Sequence, residues 1–441
     1  MSAPAIPETP SEVPTTAPRS KWYRRVGPGL IIACVVIGPG SITTSSQVGA
    51  THGFALTWVV LLAVVFMLTF MQLGARLGAL SNQSPLEILA DKIGRPLAVL
   101  IGIGTFFISA SFQFGNNLGV DAAVKELSRD VLSPESRESI LPWLDYSIVA
   151  FNALAIAFLL AFKNLYRALE RLMMCFVGLM LLSFALNLSF ALANQAPAPA
   201  AVLTDAAAAP ILDFSLLGLV GTTFVITAAF YQTYLVQQKG WTRDDMADGM
   251  LDARVGSVLM ALITLMIMCT AAAVLRGQPL KNYTEVASQL APLFGTWGRP
   301  LFCTGLFAAA YSSFLVNSMI GGFILADGLG LGSRPNQPAT RALTVAVLLI
   351  GMGVALFVIK LGFDPVPAVV AAQAVTVLAA PLTAWALIWL TNRQDIMGQD
   401  TNKPVTNLVA WTGFALLLAM AAYTAFAKVL PKISNWLEAS P

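Results

Sequence analysis

The chain has 441 residues, 57% of them hydrophobic and 11% charged, far fewer charges than the roughly 25% of an ordinary soluble domain. A mean hydropathy of +0.73 points the same way. The net charge of +3 and the pI near 8.7 are accounted for by basic residues at the cytoplasmic ends of membrane helices, so no nucleic-acid partner is read from them.

Residues 1–20, rich in Pro, Ser and Thr, read as a disordered cytoplasmic tail and not as a signal peptide. Apolar stretches long enough to cross the hydrocarbon core follow near 27–51, 54–77, 97–123, 143–162, 172–193, 214–237, 255–275, 300–326, 341–360, 365–391 and 405–427. The reading is an all-α integral membrane protein with about eleven spans, its partners the lipid bilayer and a small solute or ion. Cys34, Cys175, Cys269 and Cys303 each lie in an apolar run, with neither disulfide nor zinc spacing.

Counted over these spans, most Lys and Arg fall on the side of the amino terminus. Arg19, Lys21, Arg24 and Arg25 begin that set, followed by Arg76, Lys92, Arg95, Lys163, Arg167 and Arg171. The expected orientation in the cell membrane is therefore amino terminus cytoplasmic and carboxy terminus extracytoplasmic. Residues 192–213 carry no basic residue and many Ala and Pro, and read as an external linker. The chain then divides into a five-helix repeat at 21–191, a second at 214–391, and a last helix with its tail at 392–441. Such halves could rock about a central site as inverted repeats.

Gly38-Pro39-Gly40-Ser41 interrupts the first span halfway, which predicts a helix break at mid-membrane. The freed carbonyls and amides must find water, a ligand or a lined cavity. After the break, Ser41, Thr44 and Ser45 share one helical face, and a helix amino terminus there favours an anionic or carbonyl oxygen. The alternative is that these hydroxyls bond their own backbone. Uncharged polar residues recur at similar depth: Ser109, Gln113, Asn116 and Asn117; Thr222, Thr223, Thr227, Tyr231 and Gln232; Ser312, Ser313 and Asn317; and Gln373. They suit either a cavity wall or interhelical hydrogen bonding.

Ionisable groups are nearly missing from the predicted mid-membrane positions. Asp121, Asp145, Asp213 and Asp327 lie near helix ends, and the single histidine, His52, reads as interfacial. No nucleotide loop of the GxxxxGK[ST] type occurs, no cofactor is called for, and no nucleophile, base and orienting acid stand together. An enzyme and an ATP-driven pump are both disfavoured.

Several pieces, in order and spacing, resemble the NRAMP family of divalent-metal transporters. They are Gly27-Pro28-Gly29, the break GPGS where the family has Asp-Pro-Gly-Asn, and Ala75-Arg76-Leu77-Gly78. Tyr166-Arg167-Ala168-Leu169-Glu170-Arg171, Ala309-Ala310-Tyr311-Ser312-Ser313, and the tenth span with Gln373, Pro381 and its exit Thr391 to Gly398 complete the set. The resemblance implies a LeuT-like (APC superfamily) inverted repeat of five plus five helices and one more, with helices 1 and 6 broken. It also implies a metal site, but the family's first-helix Asp and Asn fall on Gly38 and Ser41. The sixth-helix Met-Pro-His falls on Val225, Ile226 and Thr227, and the second His on Gln232. Only the tenth-helix Gln is kept, as Gln373. The third-helix acidic pair that moves protons falls on Ser109 and Phe112.

Hard divalent ions are generally held by several oxygens including carboxylates, so no metal-ligand set is assigned from the sequence. The first expectation is a transporter rebuilt for a small polar solute, neutral, zwitterionic or anionic. Gly38, Gly40, Ser41, Thr44, Thr222, Val225, Thr227, Gln232 and Gln373 would bind it, and Ser109, Gln113, Asn117, Ser313 and Asn317 would line the cavity. The alternative is a divalent cation on backbone carbonyls near Gly38 and Thr222 plus Gln373. A non-transporting receptor is the third possibility.

Overall fold

The computed structural model describes residues 27–131, 133–161, 165–193, 213–278, 280–287 and 298–431. The expected tail at 1–20, residues 194–212 of the expected linker, and the basic residues Arg19, Lys21, Arg24, Arg25 and Lys163 lie outside them. Among the described residues all regular structure is helical.

The first span is two helices, α1 (Pro28–Val36) and α2 (Pro39–His52), bent by 56°. Next come α3 (Thr57–Leu80), the short α4 (Pro85–Lys92), α5 (Arg95–Val131), α6 (Pro134–Leu144), α7 (Ser147–Ala161) and α8 (Leu165–Ala193). The sixth span is again divided, into α9 (Phe214–Thr223) and α10 (Ile226–Lys239). It is followed by α11 (Met246–Val274), α12 (Tyr283–Ala287), α13 (Gly298–Gly328) and α14 (Pro338–Lys360). The tenth span, α15 (Pro365–Val375) and α16 (Ala380–Asn392), is bent by 41° around a 3-10 turn at Thr376–Leu378. The last described helices are α17 (Gln394–Met397) and α18 (Pro404–Tyr423), the latter running on into a π-helical turn at Thr424–Val429.

Seven described helices are long and apolar enough to span a bilayer, and up to nine do so when each bent pair counts as one span. Of the expected eleven, the span at 143–162 falls on α7, a shorter apolar helix, and that at 172–193 falls within α8. Burial separates centre from rim. The α9–α10 and α13 spans are 94% buried, whereas α14 and α18 are 28% and 22% buried and present Leu349, Phe357, Leu408 and Trp411 outward. A hydrocarbon solvent accepts such side chains without cost.

Each interruption has a local cause. Pro39 has no N–H to offer Val35, and Pro381 has none for Val377, so each helix loses a rung and bends. The sixth span has neither Pro nor Gly at its break. There the run Thr222-Thr223-Phe224-Val225-Ile226-Thr227 is β-branched at every position except Phe224, and such side chains are crowded in a helix. Phe224 leaves the helical path and packs on Phe70 and Phe66, with ring centroids 5.3 and 5.7 Å away.

Two buried aspartates hold the helix starts around this centre. Asp252, on α11, accepts from the backbone N–H groups of Gly27 (2.7 Å) and Gly29 (2.6 Å) at the start of α1, and from Gln232 Nε2 (3.1 Å) on α10. The crossing is close because Gly29 and Gly256 face each other, and a Cβ on either would meet the other helix's backbone. Asp327, at the end of α13, accepts from Ser84 Oγ (2.5 Å), Leu86 N–H (3.1 Å) and the Tyr234 hydroxyl (2.5 Å). Both carboxylates thus meet the positive end of a helix and a side chain of α10.

The Asp252 contact predicts a large stability effect. Asp252→Ala strands two buried N–H groups and an amide, at a cost on the order of 3 kcal/mol. The unfolding temperature of the detergent-solubilised variant should fall by several degrees, and an unchanged value would show that α1 is anchored by packing alone.

Candidate functional site

At the first break, three consecutive carbonyls lose their helical donors. Among the described residues no backbone N–H reaches the oxygens of Cys34, Val35 or Val36. Serine hydroxyls stand in: Ser312 Oγ donates toward Cys34 O at 3.4 Å, Ser313 Oγ toward Val35 O at 3.3 Å, and Ser41 Oγ to Val36 O. Gly38 is extended and starts α2 with no side-chain cap, so the positive end of α2 faces the break uncovered.

The second break also leaves carbonyls without backbone donors. Phe224 N–H still reaches Val220 O at 2.7 Å, but among the described residues no backbone N–H reaches the carbonyls of Gly221, Thr222, Thr223 or Phe224. Thr44 Oγ1 and Thr222 Oγ1 lie 3.0 Å apart and join α2 to α9, one donating to the other, and each also lies 2.9 Å from a carbonyl of its own helix, Gly40 O and Gly218 O. Ser41, Thr43 and Thr44 therefore all bond to backbone carbonyls. Ser45 and Ser46 are buried, and among the described residues their hydroxyls have no partner.

Gln373 lies between the two breaks. Its side chain is fully buried, yet among the described residues neither the amide oxygen nor the amide nitrogen has a hydrogen-bond partner. Leaving such a group unpaired costs about 1–3 kcal/mol, and a buried orphan of this kind calls for an explanation. The amide fits here because its neighbours have no side chains: a Cβ on Gly40 would come within 2.8 Å of Nε2, and one on Gly115 within 3.0 Å. Gly221 approaches from α9, where a Cβ would lie 3.1 Å from the Gln373 carbonyl. Beside the 3-10 turn at Thr376–Leu378 lies a small recess of about 10 Å³, lined by Phe112, Gly221, Val225, Thr227, Thr376 and Leu417 among others. Its walls are mainly apolar.

Gly38, Gly40, Ser41, Thr44, Thr222 and Gln373 are thus brought together around the breaks, and Val225 and Thr227 line the adjoining recess. Gln232 is set apart, since its amide nitrogen serves Asp252. The expected cavity wall on α5 and α13 is instead an interlocked block. Asn116 Nδ2 donates to Gln113 Oε1 (2.8 Å) and Ser313 Oγ (3.1 Å), and Asn317 Nδ2 to Ser313 Oγ (2.8 Å). Gln113 Nε2 donates to Phe314 O, Asn117 Nδ2 to Gln113 O, and Asn152 Nδ2 to Asn117 Oδ1. These amides fix Ser313, and through it Val35 O. Of the expected lining only Ser109 has a buried hydroxyl without a partner.

Sequence reasoning missed Asp252 and Asn152. Asp252 stands just ahead of the expected start of the seventh span, whereas α11 begins earlier and carries it inside. Asn152 is a lone polar residue in an apolar run, and that contrast was its only signal in the sequence. At Gly38, where the resemblance would place a carboxylate, a Cβ would lie 2.8 Å from Ser313 Oγ and 3.1 Å from Asn116 Oδ1. The space is already filled. Among the described residues no group of three or more His, Cys, Asp or Glu is placed to hold a metal ion.

Comparison with known proteins supplies the lineage. The chain is 28% identical over 409 residues to the divalent metal cation transporter MntH of Verminephrobacter eiseniae, covering 90% of this chain and 87% of that protein. The crystal structure of the Eremococcus coleocola manganese transporter bound to an aromatic bis-isothiourea compound superposes with a TM-score of 0.73 at 15% identity, over 98% of this chain and 92% of that one. The crystal structure of MhsT with L-phenylalanine gives a TM-score of 0.58 at 16% identity, over 91% and 99%. The LeuT-like architecture is common to these structures. Residues 29–427 match the family described as natural resistance-associated macrophage protein-like, and the chain belongs to that family of membrane transporters.

Proposed function

We propose that this chain is a secondary transporter of a divalent metal cation, carried with part of its water shell and held by neutral oxygens between the two helix breaks. The observation that carries the reading is Gln373, a fully buried amide without a partner between two sets of open carbonyls. The amide oxygen, the Thr222 carbonyl and the open carbonyls just before Gly38 are the ligands assigned. Family membership and relatives named as divalent metal cation transporters support a metal cargo over the non-metal solute expected first from the sequence. The same relatives are transporters and not enzymes.

With no carboxylate at the site, complete dehydration of a hard cation is poorly offset, so binding is weak and water stays on the ion. The halves at 21–191 and 214–391 would alternate access by rocking about the breaks, with the amino terminus cytoplasmic and the carboxy terminus opposite.

One observation favours a second reading, a small neutral or zwitterionic solute. Every donor around Gln373 is uncharged, and the uncapped start of α2 suits a carboxylate or carbonyl oxygen of such a solute.

Purified protein in liposomes loaded with a divalent-sensitive dye separates the two. The metal reading predicts Mn²⁺ entry above empty vesicles, and Gln373→Ala should lower the initial rate about tenfold, the loss of one ligand worth roughly 1.4 kcal/mol. Silence from folded native protein would move the second reading to first place.

The filled space at Gly38 makes a separate prediction. Gly38→Asp alone should perturb the Ser313 block and gain little, whereas Gly38→Asp with Ser313→Gly should bind Mn²⁺ at least about tenfold more tightly than native protein. Equal affinities for the single and double variants in calorimetry would show that Ser313 does not occupy the carboxylate's place.

A further inference from the structure

We propose that the ends of α2 and α11 form a binding site for the phosphate of a phospholipid, recognised by Arg276 and His52, with the lipid-facing side of α3 as the bed for its acyl chains. Both residues carry buried nitrogens that the protein leaves unused. His52 is 7% exposed, and among the described residues neither Nδ1 nor Nε2 has a partner. Arg276 Nε is buried and, among the described residues, equally without one. Buried polar groups are ordinarily paired, so unmet nitrogens on two neighbouring side chains call for a ligand.

The fold brings the two residues together. The backbone N–H of Gly277 donates to Ala50 O at 2.9 Å, which ties the residue after Arg276 to the last turn of α2. Gly53 follows His52 with φ at 59°, and a Cβ there would lie 3.3 Å from Arg276 Cζ and 3.4 Å from its Nε. The guanidinium therefore lies against the backbone next to His52. Gly49, one turn earlier, packs on the backbone of Met268 and Ala272, and His52 shares that face of α2 by the i, i+3 rule. The imidazole is thus carried on the side of α2 that meets α11. A guanidinium at the carboxyl end of α2 also complements the helix dipole, which accounts for Arg276 but leaves both nitrogens of His52 unexplained.

Chemistry and place select the ligand. Arg is permanently charged and its planar fork matches two phosphate oxygens, while an imidazole N–H adds a further donor to the same group. A phosphodiester carries one negative charge and balances one guanidinium. The surroundings are those of a membrane surface, since Phe54 and Trp58 are exposed just past His52, as aromatic side chains are at headgroup level. From Trp58 the exposed side of α3 continues through Leu61, Leu62 and Val65, an i, i+3, i+4, i+7 row that forms an apolar track into the hydrocarbon. Basic pockets between membrane helices hold lipid headgroups by the same contacts. A phosphate bound here bridges α11 to α2, the half-helix beyond the first break, and makes movement of α2 depend on the lipid.

Binding is read without cargo, so its failure is distinct from failure of the metal reading. The full chain, purified and delipidated in detergent, is followed by thermal unfolding while dioleoylphosphatidylglycerol, dioleoylglycerol or inorganic phosphate is added, and retained lipid is counted by native mass spectrometry. The expected result is a saturable rise in unfolding temperature with phosphatidylglycerol alone, since dioleoylglycerol has the same chains and no phosphate. Arg276→Gln should raise the half-saturating concentration about tenfold, as the loss of a charge-assisted contact does, and His52→Phe should raise it by a smaller factor. An equal rise with dioleoylglycerol overturns the proposal, because acyl chains alone then suffice. An equal rise with inorganic phosphate overturns it in favour of a free anion, and so does a phosphatidylglycerol response unchanged in both variants in favour of binding elsewhere. If Arg276→Gln does not fold, Arg276→Lys, which keeps the charge and loses the fork, takes its place with the same two outcomes.

Discussion

A backbone carbonyl in the middle of a bilayer has no water to turn to, and this molecule leaves seven of them without a backbone donor around one point, among the described residues. Much of the centre can be understood as an answer to that constraint. On one side Ser41, Ser312 and Ser313 lend hydroxyls to Cys34, Val35 and Val36, and a neutral block of amides holds Ser313 in place. On the other side the carbonyls from Gly221 to Phe224 have no such substitutes, and Gln373 lies beside them with an amide equally short of partners. Unmet hydrogen-bonding capacity concentrated there is the physical basis for placing cargo between the breaks.

The elements around the breaks are held by a different kind of contact. Asp252 and Asp327, both buried, cap the starts of α1 and α4 and share α10 through Gln232 and Tyr234. The half-helices are therefore anchored at their far ends and open at their near ends. Motion at the breaks can then be transmitted to the outer ends of α1 and α10 as movement of whole segments.

The all-helical membrane architecture was legible because hydropathy and helix length are read directly from sequence, and the first break because Pro and Gly announce it. The second break carried no such punctuation. Its signal was the β-branched run from Thr222 to Thr227, recognisable only beside the family resemblance. The bend before Pro381 had its signal in the proline itself. Around the site, Gln373 could be singled out as a polar residue at depth, but its lack of partners could not, since that depends on Gly40, Gly115 and Gly221 arriving from three other segments. Polarity at depth also failed to separate a cavity wall from a hydrogen-bonded block: Gln113, Asn117 and Asn317 look the same in sequence as Gln373, and in the structure they are bonded into the block. Gln232 differs for a related reason, because its partner Asp252 stands ahead of the span expected at 255–275 and gave no sign of reaching the centre.

The central claim is that cargo binds at Gln373, between the carbonyls of the two breaks. Anomalous diffraction from crystals of the native protein grown with Mn²⁺ tests it most directly. One peak is expected within coordination distance of the Gln373 amide oxygen, the Thr222 carbonyl and the open carbonyls just before Gly38, lost in Gln373→Ala. A Mn²⁺ peak elsewhere in the molecule, unaffected by that substitution, would contradict it.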